Sequence, residues 1–363
     1  MKRILSLDGG GIRGVFTLEI LLRMQEMLRA HTGNPDLMLA DHFDFMAGTS
    51  TGAMIATGLS WGMDAQKIMD VYEEHGKSMF QSVSWWRHPI RRMFISHYES
   101  EPLSRILQKT FSEDGEGKVP ALLSTKRLKT LLLVVVRNQT TGSAWPLTNN
   151  PKAIYNDASL PDCNMNIPLW KIVRASTAAP VFFDPEEIML GDRLQVFVDG
   201  GITPYNNPAL IAALTAVLPS YRIEWEPGPD KIRVISIGAT RFSTGAFETT
   251  AKQMWVGYNA QRIPMALIQG VSLEQDYICR CLGECLHGEA VDSEIGDLVG
   301  LELPGRKWFS YVRYNRSYLG KEAQALLLAQ TKLAKLDDVG MIPQLREIGR
   351  EYALEHVKLE HLI

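Results

Sequence analysis

The chain of 363 residues has only four cysteines, no strong excess of either charge and no long apolar run. Each shortage removes a class of protein. Lysine and arginine together number 38 against 41 aspartates and glutamates, a formal net charge of -3. A chain built mainly to bind nucleic acid is usually basic, so no DNA or RNA polymer is expected as a partner. The unbroken apolar run Leu131–Val136 falls far short of the roughly 20 residues that span a bilayer. At the N-terminus two basic residues precede a short apolar run that Asp8 interrupts, too short for the apolar core of a signal peptide. The expectation is a soluble, cytoplasmic chain that begins directly with a core strand. Cys279-x-Cys281-x3-Cys285, with His287 nearby, fits none of the usual zinc spacings. Reduced, packed thiols are expected there, with no metal and no other cofactor. Neither a repeat nor a low-complexity tract is present.

What is present is an alternation of strand and helix signals. Short β runs are predicted at Ile4–Leu7, Phe43–Ala47, Leu131–Val136, Gln195–Val198 and Ile232–Ile237. The run Leu131–Val136 has no polar position, the mark of a strand covered on both faces. Helical periodicity follows from Gly14 to about Ala30, from Asp64 to Phe80 and over Pro208–Leu218. Much of 252–286 and 321–358 also reads as helical. Strands alternating with helices predict a layered α/β protein. A prior of about 150 residues per domain suggests two units, the second beginning near residue 245.

Three features fall at the ends of predicted strands, where open α/β sheets place their sites. Gly48-x-Ser50-x-Gly52 lies between a strand and a helix. A serine on that tight turn projects its hydroxyl above the sheet, and the flanking Gly48 and Gly52 permit close approach of neighbouring elements. The second feature is Asp8-Gly9-Gly10-Gly11-Ile12-Arg13-Gly14, whose consecutive glycines let backbone N–H groups converge on one anion. Arg13 there fixes the loop or adds positive field. The third is Asp199-Gly200-Gly201. A free aspartate has a pKa of about 3.9 and is a poor base, so this one needs burial to serve as one. Gly9-x-Gly11-x-x-Gly14 also matches a dinucleotide fingerprint. That reading fails because the acidic residue required about 20 residues on is replaced by the loop His31-Thr32-Gly33-Asn34-Pro35. None of the eight histidines follows a strand in the order a Ser-His-Asp triad demands, so a serine–aspartate dyad fits better.

In this order the three features resemble the patatin-like phospholipase family. That family carries an oxyanion loop D-G-G-G-x-R/K-G, a G-x-S-x-G elbow and a D-G-A/G motif. Ala175-Ser176-Thr177-Ala178-Ala179-Pro180, followed by Phe182 and Phe183, and Asn207-Pro208 add to the likeness. Gly201 stands where many members have alanine. The resemblance implies a three-layer α/β/α fold with a mainly parallel central sheet. Residues 1–245 would form the catalytic domain and residues 246–363 a mainly helical extension packed on it. It further implies that Ser50 attacks an ester carbonyl of a membrane glycerophospholipid, that Asp199 takes its proton, and that Gly9, Gly10, Gly11, Arg13 and Gly14 build the oxyanion hole, without calcium. A narrower resemblance is to bacterial patatin-like effectors of cyclic-nucleotide antiphage signalling (CBASS). It implies a cyclic dinucleotide or trinucleotide activator, action at the inner face of the cell's own membrane and homo-oligomerisation on activation.

Trp85 and Trp86 beside Arg87, Arg91 and Arg92 read either as a membrane-interface segment or lid, with rings at headgroup depth and arginines on lipid phosphates, or as a loop whose tryptophans cap the core. Three rivals remain: a lysophospholipase or thioesterase using the same dyad, a storage or binding protein that kept the fold, and a nucleotide-dependent oxidoreductase. The intact Ser50, Asp199 and triple glycine disfavour the second, and the missing acidic residue disfavours the third.

Overall fold

The computed structural model describes residues 1–79, 100–180, 182–242, 256–318 and 338–363. Its strands are β1 (Lys2–Leu7), β2 (Phe45–Thr49), β3 (Leu131–Asn138), β4 (Ser143–Thr148), β5 (Glu186–Leu190) and β6 (Arg193–Asp199), followed by β7 (Ile232–Ile237), β8 (Arg241–Phe242), β9 (Glu284–His287), β10 (Ser310–Tyr314) and β11 (Ser317–Tyr318). The helices are α1 (Gly14–Thr32), α2 (Leu39–His42), α3 (Thr51–Ser60), α4 (Ala65–Met79), α5 (Ser100–Thr110), α6 (Leu169–Ser176), α7 (Ala209–Val217), α8 (Val256–Leu282) and α9 (Ile342–His356).

Among the described residues nine strands form one sheet, in the order β5-β6-β3-β2-β1-β7-β10-β9, with β4 paired to β3. From β3 through β9 along this order every pairing is parallel. β4, β5 and β6 add antiparallel pairs at the other side. The expected mainly parallel α/β sheet is therefore present, with an antiparallel flank. Side chains of a strand alternate between faces, and the central strands bury both. Leu132, Val134 and Val136 of β3 join Leu5, Leu7, Ile235 and Ile237 in one core under α1, α3, α4, α6 and α9. Leu133 and Val135 join Ile4, Ile232 and Val234 in a second core under α7 and α8. Helices on both faces of one sheet give the three layers.

The expected division near residue 245 needs correction. β9 and β10, both beyond it, continue the sheet that begins at β1, and β10 pairs with β7 along its length. The sequence reads as mainly helical there because Glu284-Cys285-Leu286-His287 and Ser310-Tyr311-Val312-Arg313-Tyr314 carry too many polar residues to look like central strands. In the structure Arg313 is covered because a carboxylate meets it. The chain end also returns to the start. α9 packs on α1, with the Phe16 and Tyr352 rings 5.3 Å apart and Arg346 donating to Glu19 at 2.6 Å.

Candidate active site

β2 ends at Thr49 and α3 begins at Thr51, so Ser50 alone makes the turn. Its backbone sits at φ 54°, ψ -124°, a region other residues than glycine rarely adopt. The turn is held by its surroundings. The Ser50 N–H donates to Ser176 Oγ at 2.8 Å, and Ser176 donates in turn to the Val135 carbonyl at 2.7 Å. The glycines of the elbow are required by close approach. A Cβ on Gly52 would stand 2.2 Å from the Leu7 carbonyl oxygen, and one on Gly48 2.2 Å from that of Gly52.

Asp199 reaches Ser50 through sheet register. β3 lies between β2 and β6; it pairs Val135 with Thr49 on one side and Val136 with Asp199 on the other. The two side chains thus rise at the same level, one strand apart, although β6 runs antiparallel. Ser50 Oγ donates to Asp199 Oδ2 at 2.7 Å, and the Gly201 N–H donates to Oδ1 at 2.6 Å. Asp199 is 4% exposed. Burial raises its pKa to about 6, against the opposing pull of the Ser50 and Gly201 hydrogen bonds and of Arg174. The burial that a basic aspartate requires is present. Gly200 is needed for the same packing, since a Cβ there would meet the Val135 carbonyl oxygen at 2.3 Å.

The glycine loop arches over this pair. A Cβ on Gly9 would lie 3.1 Å from Ser50 Cβ, and Gly11 has φ 59°. Only part of the expected oxyanion set supplies amides. The Gly9 N–H is spent on the Asn206 carbonyl at 3.1 Å, and the Gly14 N–H on Gly11 and Ile12 carbonyls. These two are corrected from donors to framework. The amides of Gly10 and Gly11 have no hydrogen-bond partner among the described residues. Arg13 braces the loop, Nε donating to the Gly10 carbonyl at 3.4 Å and Nη1 to the Thr240 carbonyl at 3.3 Å.

Ser50, Asp199, Gly201, Gly9, Gly10, Gly11 and Arg13 line one cavity of about 610 Å³. Met54, Met79, Leu103, Phe183, Ile202 and Ile268 give part of its wall an apolar surface. No histidine lines it among the described residues. His287, His356 and His361 stack on one another elsewhere, with ring centroids 5.0 and 5.6 Å from His287. Cys279 and Cys285 are buried free thiols, and no group of three His, Cys, Asp or Glu is arranged to hold a metal ion among the described residues. Trp85, Trp86, Arg91 and Arg92, the expected membrane segment, lie outside the described residues. No described helix is long and apolar enough to cross a membrane.

Several cavity residues carry no sequence signal that would have singled them out. Arg313, from β10, meets Asp8 with both terminal nitrogens, at 2.9 and 2.6 Å, and its Nη1 also donates to Ser236 at 2.6 Å. Burial opposes the charge on Arg313, but the field and hydrogen bonds of Asp8 more than offset it and raise its pKa. Its partner lies 305 positions away in the chain. Asn206 ties the glycine loop to α8, donating to the Gly9 carbonyl at 3.4 Å and to Ser272 Oγ at 3.0 Å. Ser176 and Asn206 sit in or beside stretches that carry the family likeness, which is the one available hint.

The model of the family described as "Patatin-like phospholipase" matches residues 5–213. Among curated relatives, a "cGAMP-activated phospholipase" of Escherichia coli (strain TW11681) is 27% identical over 70% of this chain and 67% of its own length. A protein of the same name from Vibrio cholerae serotype O1 is 30% identical over 58% of this chain and 56% of its own length. "Patatin-T5" of Solanum tuberosum is 27% identical over 60% and 53%. The matches thus span between about half and two thirds of these relatives' lengths.

Proposed function

The chain belongs to the patatin-like phospholipase family, a family of lipid acyl hydrolases, and we propose that it acts as a serine acyl hydrolase releasing fatty acids from membrane glycerophospholipids. The reading rests above all on the 2.7 Å bond from Ser50 Oγ to a buried carboxylate whose pKa is raised to about 6. A base is most useful near the working pH, ionised yet proton-seeking.

In this mechanism Asp199 takes the Ser50 proton as Oγ attacks the ester carbonyl. The developing oxyanion meets the Gly10 and Gly11 amides, and one such donor contributes roughly 3 kcal/mol. Collapse of the tetrahedral intermediate expels the lysophospholipid alkoxide, which takes the proton from Asp199. A water deprotonated by the same carboxylate then attacks the acyl-serine ester; collapse frees the fatty acid as Asp199 returns the proton to the departing Ser50 Oγ. The elbow's strained backbone and the hydrogen bond from the Ser50 N–H to Ser176 Oγ keep Oγ aimed, so little reorganisation is needed at each step. The apolar wall around Met54, Leu103 and Phe183 suits an acyl chain.

The finer reading is activation by a cyclic dinucleotide or trinucleotide, with action at the inner membrane surface and self-association on activation. It is supported by the two bacterial relatives whose names state activation by cGAMP. One experiment tests both levels: fatty-acid release from mixed phospholipid vesicles by wild type and Ser50→Ala, with and without a panel of cyclic nucleotides. Release by wild type alone is expected, enhanced by one nucleotide. Lipase activity indifferent to every nucleotide sinks the activation reading. Hydrolysis confined to lysophospholipids or thioesters moves the substrate class, and equal release by both proteins sinks the serine mechanism.

A further inference from the structure

We propose that Arg241, together with Arg13, forms a phosphodiester-binding subsite in the active-site cavity. Besides its apolar lining, the cavity is lined by Arg13, Arg241, Asp276, Arg280, Arg313 and Ser317.

The four arginines differ in what neutralises them. Arg313 is bonded twice to Asp8. Arg280 is bonded twice to Asp276, at 3.0 and 2.7 Å, and donates further to the Glu289 and Asp297 carbonyls. Among the described residues Arg13 and Arg241 meet no carboxylate. Arg13 is 6% exposed, yet among the described residues its guanidinium meets only the Gly10 and Thr240 carbonyls. Arg241 is half-buried, and its guanidinium makes no hydrogen bond or ion pair with any described residue. The carboxylates near it are committed: Asp276 to Arg280, and Glu289 to the Ser317 N–H at 2.7 Å.

A guanidinium drawn out of water without a carboxylate beside it is unfavourable unless an anion meets it. Burial lowers the pKa of both Arg13 and Arg241, that of Arg13 to about 10. Both line the same cavity, and Arg13 Nη1 donates to the carbonyl of Thr240, the residue just before Arg241. Thr240 is held at φ 64°, an unfavourable conformation for a β-branched residue, and the Arg241 N–H is fixed on the Arg316 carbonyl. Strain of this kind gathers at ligand clamps. A guanidinium offers paired donors, the match for two non-bridging phosphate oxygens.

A phosphodiester monoanion is common to a glycerophospholipid, whose phosphate follows the scissile esters by a few bonds, and to a cyclic oligonucleotide. The lipid source rests on the acyl-hydrolase reading above, while the nucleotide source does not. The test compares wild type, Arg241→Gln and Arg241→Lys. One arm measures kcat/KM for phosphatidylglycerol and for diacylglycerol in the same detergent micelles. Diacylglycerol keeps the esters and lacks the phosphate, so its turnover also reports that each variant is folded. Arg241→Gln should lower the phospholipid-to-diacylglycerol ratio about tenfold or more, the worth of one charge-assisted contact, and Arg241→Lys should restore part of it. The second arm measures cyclic dinucleotide binding by calorimetry without lipid. A lowered ratio assigns the subsite to the lipid phosphate, and lost nucleotide binding assigns it to the nucleotide. If Arg241→Gln changes neither the ratio nor nucleotide binding, the subsite is wrong. If wild type hydrolyses neither lipid, the acyl-hydrolase reading fails and the calorimetric arm alone decides the subsite.

Discussion

Asp8 directly follows β1 and Asp199 ends β6, each precedes glycines, and both line the same cavity. Their surroundings nevertheless give them opposite work. Burial raises the pKa of Asp8 as well, against the pull of Arg313, but Asp8 is gripped by that guanidinium at 2.9 and 2.6 Å, so its charge is paired where it stands and the glycine loop is anchored to β10. Asp199 is met by a hydroxyl and an amide, with no cation bonded to it among the described residues, and its pKa rises to about 6. A carboxylate at a strand end becomes structural or reactive according to whether a guanidinium is delivered to it. Neither residue's immediate neighbours in sequence decide this.

The largest effect should come from removing the reactive member. Asp199→Asn is expected to lower kcat/KM for lipid by about a thousandfold or more while the fold is kept, because dyad members act as a unit. Asp8→Asn should cost far less in kcat, and a comparable loss there would erase the distinction. Arg313→Gln strikes the structural member. It leaves a buried, unpaired charge and should destabilise by about 3–5 kcal/mol in chemical denaturation. The double variant Asp8→Asn with Arg313→Gln should recover part of this, since the orphaned charge is gone; purely additive losses would mean that the pair is not coupled.

The third contrast is in pH dependence. Because folding raises the Asp199 pKa from 3.8 to about 6, the folded state holds that proton more tightly. The resulting stability is complete below about pH 4 and is lost as pH rises through about 6. At pH 8 the ionised group costs about 3 kcal/mol, since each tenfold change in proton affinity corresponds to about 1.4 kcal/mol. Asp199→Asn should therefore be more stable than wild type at pH 8, by about 2–3 kcal/mol, with the gap closing towards pH 4 in melts across that range. In the same window, kcat/KM of wild type should fall with unit slope below about pH 6, and a flat profile would remove Asp199 as base. The smallest effect belongs to the elbow's support. Ser176→Ala orphans the Ser50 amide and should lower kcat roughly tenfold, consistent with a cost of about 1–3 kcal/mol for a lost buried partner.

Much of this site is legible in sequence because its determinants are local. The strand–Gly-x-Ser-x-Gly–helix pattern names the nucleophile, and the triple glycine names a loop with free amides. Even so, the family resemblance spreads the oxyanion role over five residues, whereas hydrogen bonding among the described residues leaves the Gly10 and Gly11 amides for it. β10 escapes a local reading because an arginine and two tyrosines in five residues contradict the apolar pattern of a central strand. The contradiction vanishes once Asp8, at the other end of the chain, is placed opposite Arg313.

By itself, the sequence determined the α/β class, the strands β1, β3 and β7, the elbow at Ser50 and the candidacy of Asp199. Each of these follows from periodicity or turn chemistry within a few residues. Only the tertiary structure decided that the sheet runs on past residue 245, that Asp8 is neutralised, that Asp199 is not, and that Arg13 and Arg241 share one cavity. Those outcomes depend on burial and on charges brought together across hundreds of residues, and desolvation and Coulomb energy are fixed by distance in space rather than position along the chain.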